Sequence, residues 1–168
     1  PTWQEGSTTA AGYKEVMKKI LQEAFHLDAS VVSPAAESFV DAYLAASKID
    51  PSWKPVFETM NFHPGVKTII ASDHYAEATD AILDSLSDMG INATALHDPN
   101  KDVRDSSFIV ANSADVEFHK VDPQFWEAVK ARALPEKVTG ALIIDDFGAH
   151  EQAGNSYSER EKMIKRIH

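Results

Sequence analysis

The sequence predicts an α/β fold, in which helices pack against a parallel β-sheet. Three observations favour this fold. First, short apolar segments alternate with helix-like segments after residue 65. Second, the apolar segments TIIA, FIVA and ALII contain no alternating polar residues, which is typical of strands buried on both faces of a parallel sheet. Third, each of these segments stops at small polar or acidic residues, as strands do where they leave a buried sheet.

The first 60 residues are expected to form a small, all-helical unit. Apolar side chains in residues 12–28 recur at the i, i+3, i+4, i+7 spacing of one helical face. A second helix is expected at residues 33–47, with Ser33 as its N-cap and Pro34 in its first turn. A short third helix is expected after Asp50.

The rest of the chain is expected to alternate between strands and helices. Strands are expected at 66–71, 108–111 and 141–144, and helices at 76–89, 123–133 and 158–167. Residues 91–106 fit either a short strand or a long polar loop. Alternation of this kind implies parallel strands that are joined by crossover helices.

Composition excludes several classes of protein. Apolar residues make up 43% of the 168 residues, which is enough for one ordinary core. No apolar run approaches the roughly 18–20 residues that span a bilayer, so no membrane partner is expected. The net charge of −10 disfavours nucleic acid as a partner, because an acidic surface repels phosphate. The absence of cysteine excludes disulfides and suits a cytoplasmic location.

Polar side chains follow the predicted strands at the edge where parallel sheets bind ligands. Ser72 follows the first strand, and its hydroxyl beside a helix start can hold a phosphate; a serine there also fits a simple N-cap. Asp145 and Asp146 follow the predicted strand at 141–144. Neighbouring carboxylates can share a Mg²⁺ ion, which offsets their repulsion. A turn or a helix cap is the other interpretation of this pair.

Lys120 is the third element of this predicted site. It precedes a helix whose expected cap is Asp122, and from there an ammonium group can reach the sheet edge and neutralise an anion. A lysine in a loop is also compatible with simple solvation. Taken together, a hydroxyl, an ammonium group and an acidic pair are the groups that phosphoryl transfer requires.

Two longer segments resemble motifs of the haloacid dehalogenase (HAD) superfamily, whose members are mostly Mg²⁺-dependent phosphatases. The segment ADVEFHKVDPQFWEAVKARA (114–133) is similar to the third motif, although Val121 stands where proline is common. The segment ALIIDDFGAHEQAG (141–154) is similar to the fourth motif, and IIAS is similar to the second. The resemblance covers residues 63–157.

This resemblance implies a fold. It predicts a three-layer, parallel-sheet, Rossmannoid core at residues 61–168. The helical segment at 12–60 lies where the superfamily has its small cap domain, which closes over the site and selects the substrate.

The resemblance also implies a site and a reaction. Ser72 and Lys120 would be catalytic, and together with Asp73 they would bind the phosphate. Asp145 and Asp146 would bind Mg²⁺ as the cofactor. The substrate would be a small phosphorylated metabolite, and the reaction would pass through an aspartyl-phosphate.

The sequence departs from the superfamily at one motif. The first motif, DxDx[TV], carries the nucleophile and the general acid/base, and the 168 residues do not contain it. We therefore expect its strand to lie before Pro1, which would leave a central gap of roughly 10 Å in the sheet. Three alternatives remain open: a catalytically inactive HAD-fold domain for binding or assembly, a 2-haloacid dehalogenase-type hydrolase without Mg²⁺, and another parallel α/β fold such as a flavodoxin-like one.

Overall fold

A computed structural model describes residues 8–135 and 137–144 of the chain. Its helices and strands are, in order, α1 (Ala10–Phe25), α2 (Ala29–Ala46), α3 (Lys54–Asn61), β1 (Thr68–Ser72), α4 (Glu77–Asp88), β2 (Ala93–Ala95), β3 (Phe108–Asn112), α5 (Ser113–Val116) and α6 (Pro123–Ala133). The predicted helix at 158–167 and the predicted metal ligands Asp145 and Asp146 lie outside the described residues.

The three described strands form one parallel sheet in the order β1-β3-β2, which confirms the α/β class. Central strand β3 is buried at all five positions, as the continuous apolar run predicted. β1 pairs directly with β3, from Thr68 opposite Phe108 to Ser72 opposite Asn112. The described sheet therefore has no central gap, and the expected 10 Å opening is wrong for these strands.

Two hydrophobic clusters cover the two faces of this sheet. Ile109 and Ala111 of β3 pack with Phe125 and Val129 of α6. The alternate residues of β3, Phe108 and Val110, pack on the other face. That face is covered by residues of α3, α4 and the turn before β2, namely Phe57, Ile82, Leu86, Met89 and Ile91. Helices on both faces explain why β3 has no polar alternation.

The predicted strand at 141–144 is wrong. These residues have no regular secondary structure, and Leu142 and Ile144 are 82% and 60% exposed. The prediction rested on four consecutive apolar residues, which determine neither a partner strand nor a register. In the described sheet, both sides of β3 are already paired with β1 and β2.

Helix α2 begins earlier than the sequence predicted. Asp28 is its N-cap and accepts a hydrogen bond from the Ser30 N–H at 2.8 Å. Ser33 therefore lies inside the helix, and its predicted role as the cap is wrong. Pro34 also lies within the helix, where it has no N–H to donate to the carbonyl four residues earlier. The helix begins at the aspartate cap five residues upstream, and not at the Ser33-Pro34 pair, which is also typical of a helix start.

The other predicted elements are found within a few residues of their expected bounds. Helix α6 begins and ends where predicted, and α1, α3, α4, β1 and β3 are all present. Residues 91–106 contain both the short strand β2 and a 3₁₀ turn at Val103–Asp105. Part of this segment is thus strand and part is loop, so each of the two interpretations was half correct.

Helices α1 and α2 pack against each other and contact the rest of the chain beside Tyr75. Tyr75 is buried with Ala10 of α1 and Val40 of α2. The carboxylate of Glu77, in the first turn of α4, accepts the Ala10 N–H at 3.0 and 3.1 Å. The division into a cap at 12–60 and a core at 61–168 stays a prediction.

Candidate functional site

The carboxyl edge of the sheet is where β1 ends at Ser72 and β3 ends at Asn112, and the two residues are paired in the register. The chain leaves β1 through a short loop that leads into α4, and it leaves β3 directly into α5. Ser72 therefore lies at a strand end, as the sequence predicted, but residues 73–76 separate it from α4. Ala76 holds the N-cap position of α4, so the interpretation of Ser72 as a simple N-cap is wrong.

Asp73 connects this edge to the segment that carries Lys120. Its Oδ1 atom accepts the Lys120 backbone N–H at 2.9 Å and lies 3.5 Å from Nδ1 of His119. The Asp73 side chain is only 16% exposed, so the contact is partly shielded from water. Three predicted site residues, Ser72, Asp73 and Lys120, are thus brought to one edge of the sheet.

The loop before α6 is also fixed from its other side. Trp126 of α6 donates its indole N–H to the Lys120 carbonyl at 2.8 Å. Asp122 accepts the His119 N–H at 3.2 Å, and Glu117 turns the chain with a left-handed φ of 65°. Both backbone polar groups of Lys120 are therefore hydrogen-bonded, which fixes where its side chain begins.

Asn112 is a buried polar residue whose role the sequence did not reveal. Its amide donates to the Tyr75 carbonyl at 2.7 Å and to the Thr79 hydroxyl at 3.1 Å, and its Oδ1 accepts the His74 N–H at 3.2 Å. Thr79 in turn donates to Asp115 at 2.6 Å. These bonds hold the loop after β1 against the end of β3. The available signal was an asparagine directly after a buried strand.

His74 is the second group that sequence reasoning missed. Its ring lies between two aromatic rings, stacked on Tyr43 and edge-on to Tyr75, with centroid distances of 4.9 Å to each. Burial lowers its pKa, and the nearby Glu77 carboxylate acts in the opposite direction. The imidazole is therefore held in the neutral form at neutral pH.

The predicted Mg²⁺ site depends on residues outside the described ranges. Within residues 8–135 and 137–144, no group of three or more histidine, aspartate or glutamate side chains is arranged to hold a metal ion. Asp73 supplies one carboxylate at this edge, and its Oδ1 is already engaged with the 119–120 segment. The fit of Mg²⁺ therefore rests on Asp145 and Asp146.

A polar cavity of about 400 Å³ lies at the opposite, amino edge of the sheet. Its lining residues come from the end of α3, from β2 and the residue before it, and from the segment at 101–107 that includes the 3₁₀ turn. They are Asn61, Asn92, Thr94, Lys101, Asp102, Asp105, Ser106 and Ser107. None of the predicted site residues lines it. Thr94 and Ser106 bond each other at 2.7 Å, and Asp102 caps the turn. The cavity is thus separate from the Ser72 edge.

In the part of the chain that the structure describes, no helix combines the length and the hydrophobicity that crossing a bilayer requires. Comparison of the chain with models of known protein families, with curated proteins and with solved structures finds no match.

Proposed function

We propose that this chain provides the phosphate-binding part of a HAD-like, Mg²⁺-dependent phosphatase that acts on a small phosphorylated metabolite. One observation supports the proposal: the Asp73 carboxylate accepts the Lys120 backbone N–H, which holds the backbone of Lys120 beside the edge where β1 ends with Ser72. A hydroxyl and an ammonium group on one edge of a parallel sheet are complementary to a phosphoryl group.

The residues have distinct roles in this proposal. The Ser72 hydroxyl donates to a phosphate oxygen, and the Lys120 ammonium group balances the negative charge of the transferring phosphoryl group. The Asp73 side chain holds the Lys120 segment in place, and its backbone N–H is the part that contacts phosphate. This assignment avoids placing a carboxylate against an anion of the same charge.

The metal belongs to Asp145 and Asp146 in this proposal. When bound, Mg²⁺ would neutralise part of the phosphate charge. None of the described residues is assigned as the nucleophile. The superfamily's nucleophilic aspartate belongs to the DxDx[TV] motif, which the 168 residues do not contain.

The test uses protein that is expressed from the complete gene. Release of phosphate from p-nitrophenyl phosphate is measured with and without Mg²⁺. We expect Mg²⁺-dependent turnover that falls at least about a hundredfold in kcat in Lys120→Ala, because a transition-state charge partner is lost. Lys101→Ala removes an exposed lysine at the opposite edge and is the matched control.

Two outcomes would contradict this assignment. A raised KM with unchanged kcat in Lys120→Ala would mean that the lysine only binds substrate. Complete absence of Mg²⁺-dependent turnover would favour the alternative function, a catalytically inactive domain for binding or assembly. The missing DxDx[TV] motif is the observation that favours that alternative.

A further inference from the structure

The hydroxyl of Ser47 lies 2.5 Å from Nε2 of His74, where the end of α2 meets the loop after β1. A serine oxygen this close to an imidazole nitrogen has the spacing of a nucleophile and its general base. The positions of the protons decide whether the pair can act in that way.

The hydrogen bonds around the ring identify its tautomer. The Tyr75 N–H donates to Nδ1 of His74 at 2.9 Å, so Nδ1 carries the lone pair. A neutral imidazole has one N–H, which must then be on Nε2 and must donate to Ser47. The Ser47 hydroxyl donates onward to the Tyr43 carbonyl at 2.9 Å. His74 is thus a donor to Ser47 and cannot take its proton, so this pair is not a catalytic dyad.

The same bonds make His74 the link between three parts of the fold. Its ring bonds Ser47 and stacks on Tyr43, both at the carboxyl-terminal end of α2. Its backbone N–H bonds Asn112 and Ser113 at the end of β3, both at 3.2 Å. His74 itself follows Ser72 and Asp73 directly. A change at this one ring therefore acts on the helical unit and on the candidate site together.

Among the described residues, the titratable groups that face the ring are tyrosines and one glutamate. Tyr43 of α2 and Tyr75 of the loop pack against it, and Tyr13 of α1 packs behind Tyr75 with ring centroids 5.1 Å apart. Glu77 of α4 is the charged group that acts on it, and both Glu77 oxygens accept the Ala10 N–H. Among side chains, the imidazole is the type whose ordinary pKa lies nearest to neutral pH.

We propose that His74 is a pH-sensitive clasp between α2 and the loop at residues 73–76, closed when the imidazole is neutral and released when it is protonated. A proton on Nδ1 would turn the acceptor for the Tyr75 N–H into a second donor facing it. The clasp rests on the hydrogen bonds described above and does not depend on the proposed phosphatase activity.

The sign of the pH effect follows from the burial of the ring. Burial lowers the pKa of His74 in the closed state, whereas an opened, solvated imidazole has an ordinary pKa of about 6.5. The clasp is therefore fully effective above pH of about 6.5. As the pH falls below that value, the opening equilibrium rises with a slope that approaches about tenfold per pH unit, and it levels off below the pKa of the closed state.

The experiment measures amide hydrogen exchange by NMR at pH 7.5, 6.5 and 5.5, expressed as protection factors. Two probes are suitable, because the Ser47 N–H bonds Leu44 at the end of α2 and the Ala76 N–H bonds Thr8. His74→Gln keeps a side-chain amide donor near Ser47 but does not titrate, and His63→Gln is the exposed control.

In wild-type protein and in His63→Gln, we expect protection at both probes to fall by up to about fivefold between pH 6.5 and 5.5. In His74→Gln this pH dependence should disappear. Equal pH dependence in wild type and His74→Gln, or none in wild type, would overturn the proposal. A second measurement needs no variant: ¹⁵N shifts of the wild-type imidazole at pH 7.5 should show the proton on Nε2. A proton on Nδ1 would also overturn the clasp.

Discussion

The Asp73 carboxylate accepts a hydrogen bond from the Lys120 backbone N–H at 2.9 Å, although the two residues are 47 positions apart in the chain. This bond joins the end of β1 to the loop before α6. It places the segment of Lys120 at the same edge as Ser72. The bond is one of those that position the candidate phosphate site, and it can be removed without changing Ser72 or Lys120, the proposed catalytic groups.

Replacing Asp73 with alanine should loosen the loop before α6. Hydrogen bonds to a charged acceptor contribute about 1.5–3 kcal/mol, and partial exposure of Asp73 lowers this to about 1–2 kcal/mol. Urea unfolding measures the loss, and amide exchange at Lys120 should accelerate. Asp73→Asn keeps an acceptor oxygen and should lose less. Equal losses in the two variants would show that the bond to Lys120 is not what Asp73 contributes.

Replacing Asn112 with alanine should destabilise the fold by about 2–4 kcal/mol, because the Tyr75 carbonyl and the Thr79 hydroxyl lose a buried partner. Asn92→Ala removes an exposed asparagine from the amino edge and should change the free energy of unfolding by less than about 0.5 kcal/mol. Chemical denaturation of both variants makes the comparison. Similar values for the two would mean that the buried network contributes little.

Replacing Phe57 with alanine tests whether α3 packs on the sheet. Phe57 is buried in the cluster on one sheet face, and its ring meets Phe108 edge-on at 5.6 Å. Its loss should reduce the free energy of unfolding by about 3–4 kcal/mol. Phe62, which is 81% exposed, offers a matched phenylalanine whose truncation should have almost no effect. A small effect at Phe57 would contradict the described packing.

His97 should make the fold less stable in mild acid. Burial lowers its pKa, and the charge of Arg132 acts in the same direction. The unfolded chain binds a proton near pH 6.5 whereas the folded chain resists it, so stability falls as the pH decreases below about 6.5. His97→Leu should flatten the dependence of the unfolding free energy between pH 7.5 and 5.5. An unchanged slope in this variant would exclude His97 as a contributor.

Replacing Leu142 with serine tests whether residues 141–144 form a buried strand. Because Leu142 is largely exposed and belongs to no described strand, the change in unfolding free energy should stay within about 0.5 kcal/mol. Ile109→Ala, in the central strand, should cost about 2–5 kcal/mol. A cost at Leu142 comparable to that at Ile109 would support the buried strand that the sequence suggested.

Local sequence signals were sufficient to predict most of the described secondary structure. β1, β3, α4 and α6 were predicted because their apolar spacing, caps and flanking turns agree with one another. The signals failed where two of them competed, as Asp28 and Ser33 did for the start of α2. They also failed at 141–144, where apolar character was the only signal, because burial of such a segment is decided by neighbours far away in the chain.

The candidate site was predictable only in outline. Ser72 and Lys120 could be placed at one edge because parallel strands end together. The bond from Asp73, the buried amide of Asn112 and the contact of His74 with Ser47 could not be predicted. Each joins side chains whose partners are 27 or more positions away, and no local pattern encodes such pairs.

The most direct test of the account is an NMR titration of the chain with inorganic phosphate in the presence of Mg²⁺, followed by backbone amide shifts. If the carboxyl edge holds phosphate between Ser72 and Lys120, these two amides should shift together and saturably. Asn92 and Ser107, at the cavity of the amino edge, should stay unchanged. Unmoved signals at Ser72 and Lys120, or shifts confined to the amino edge, would contradict the central claim.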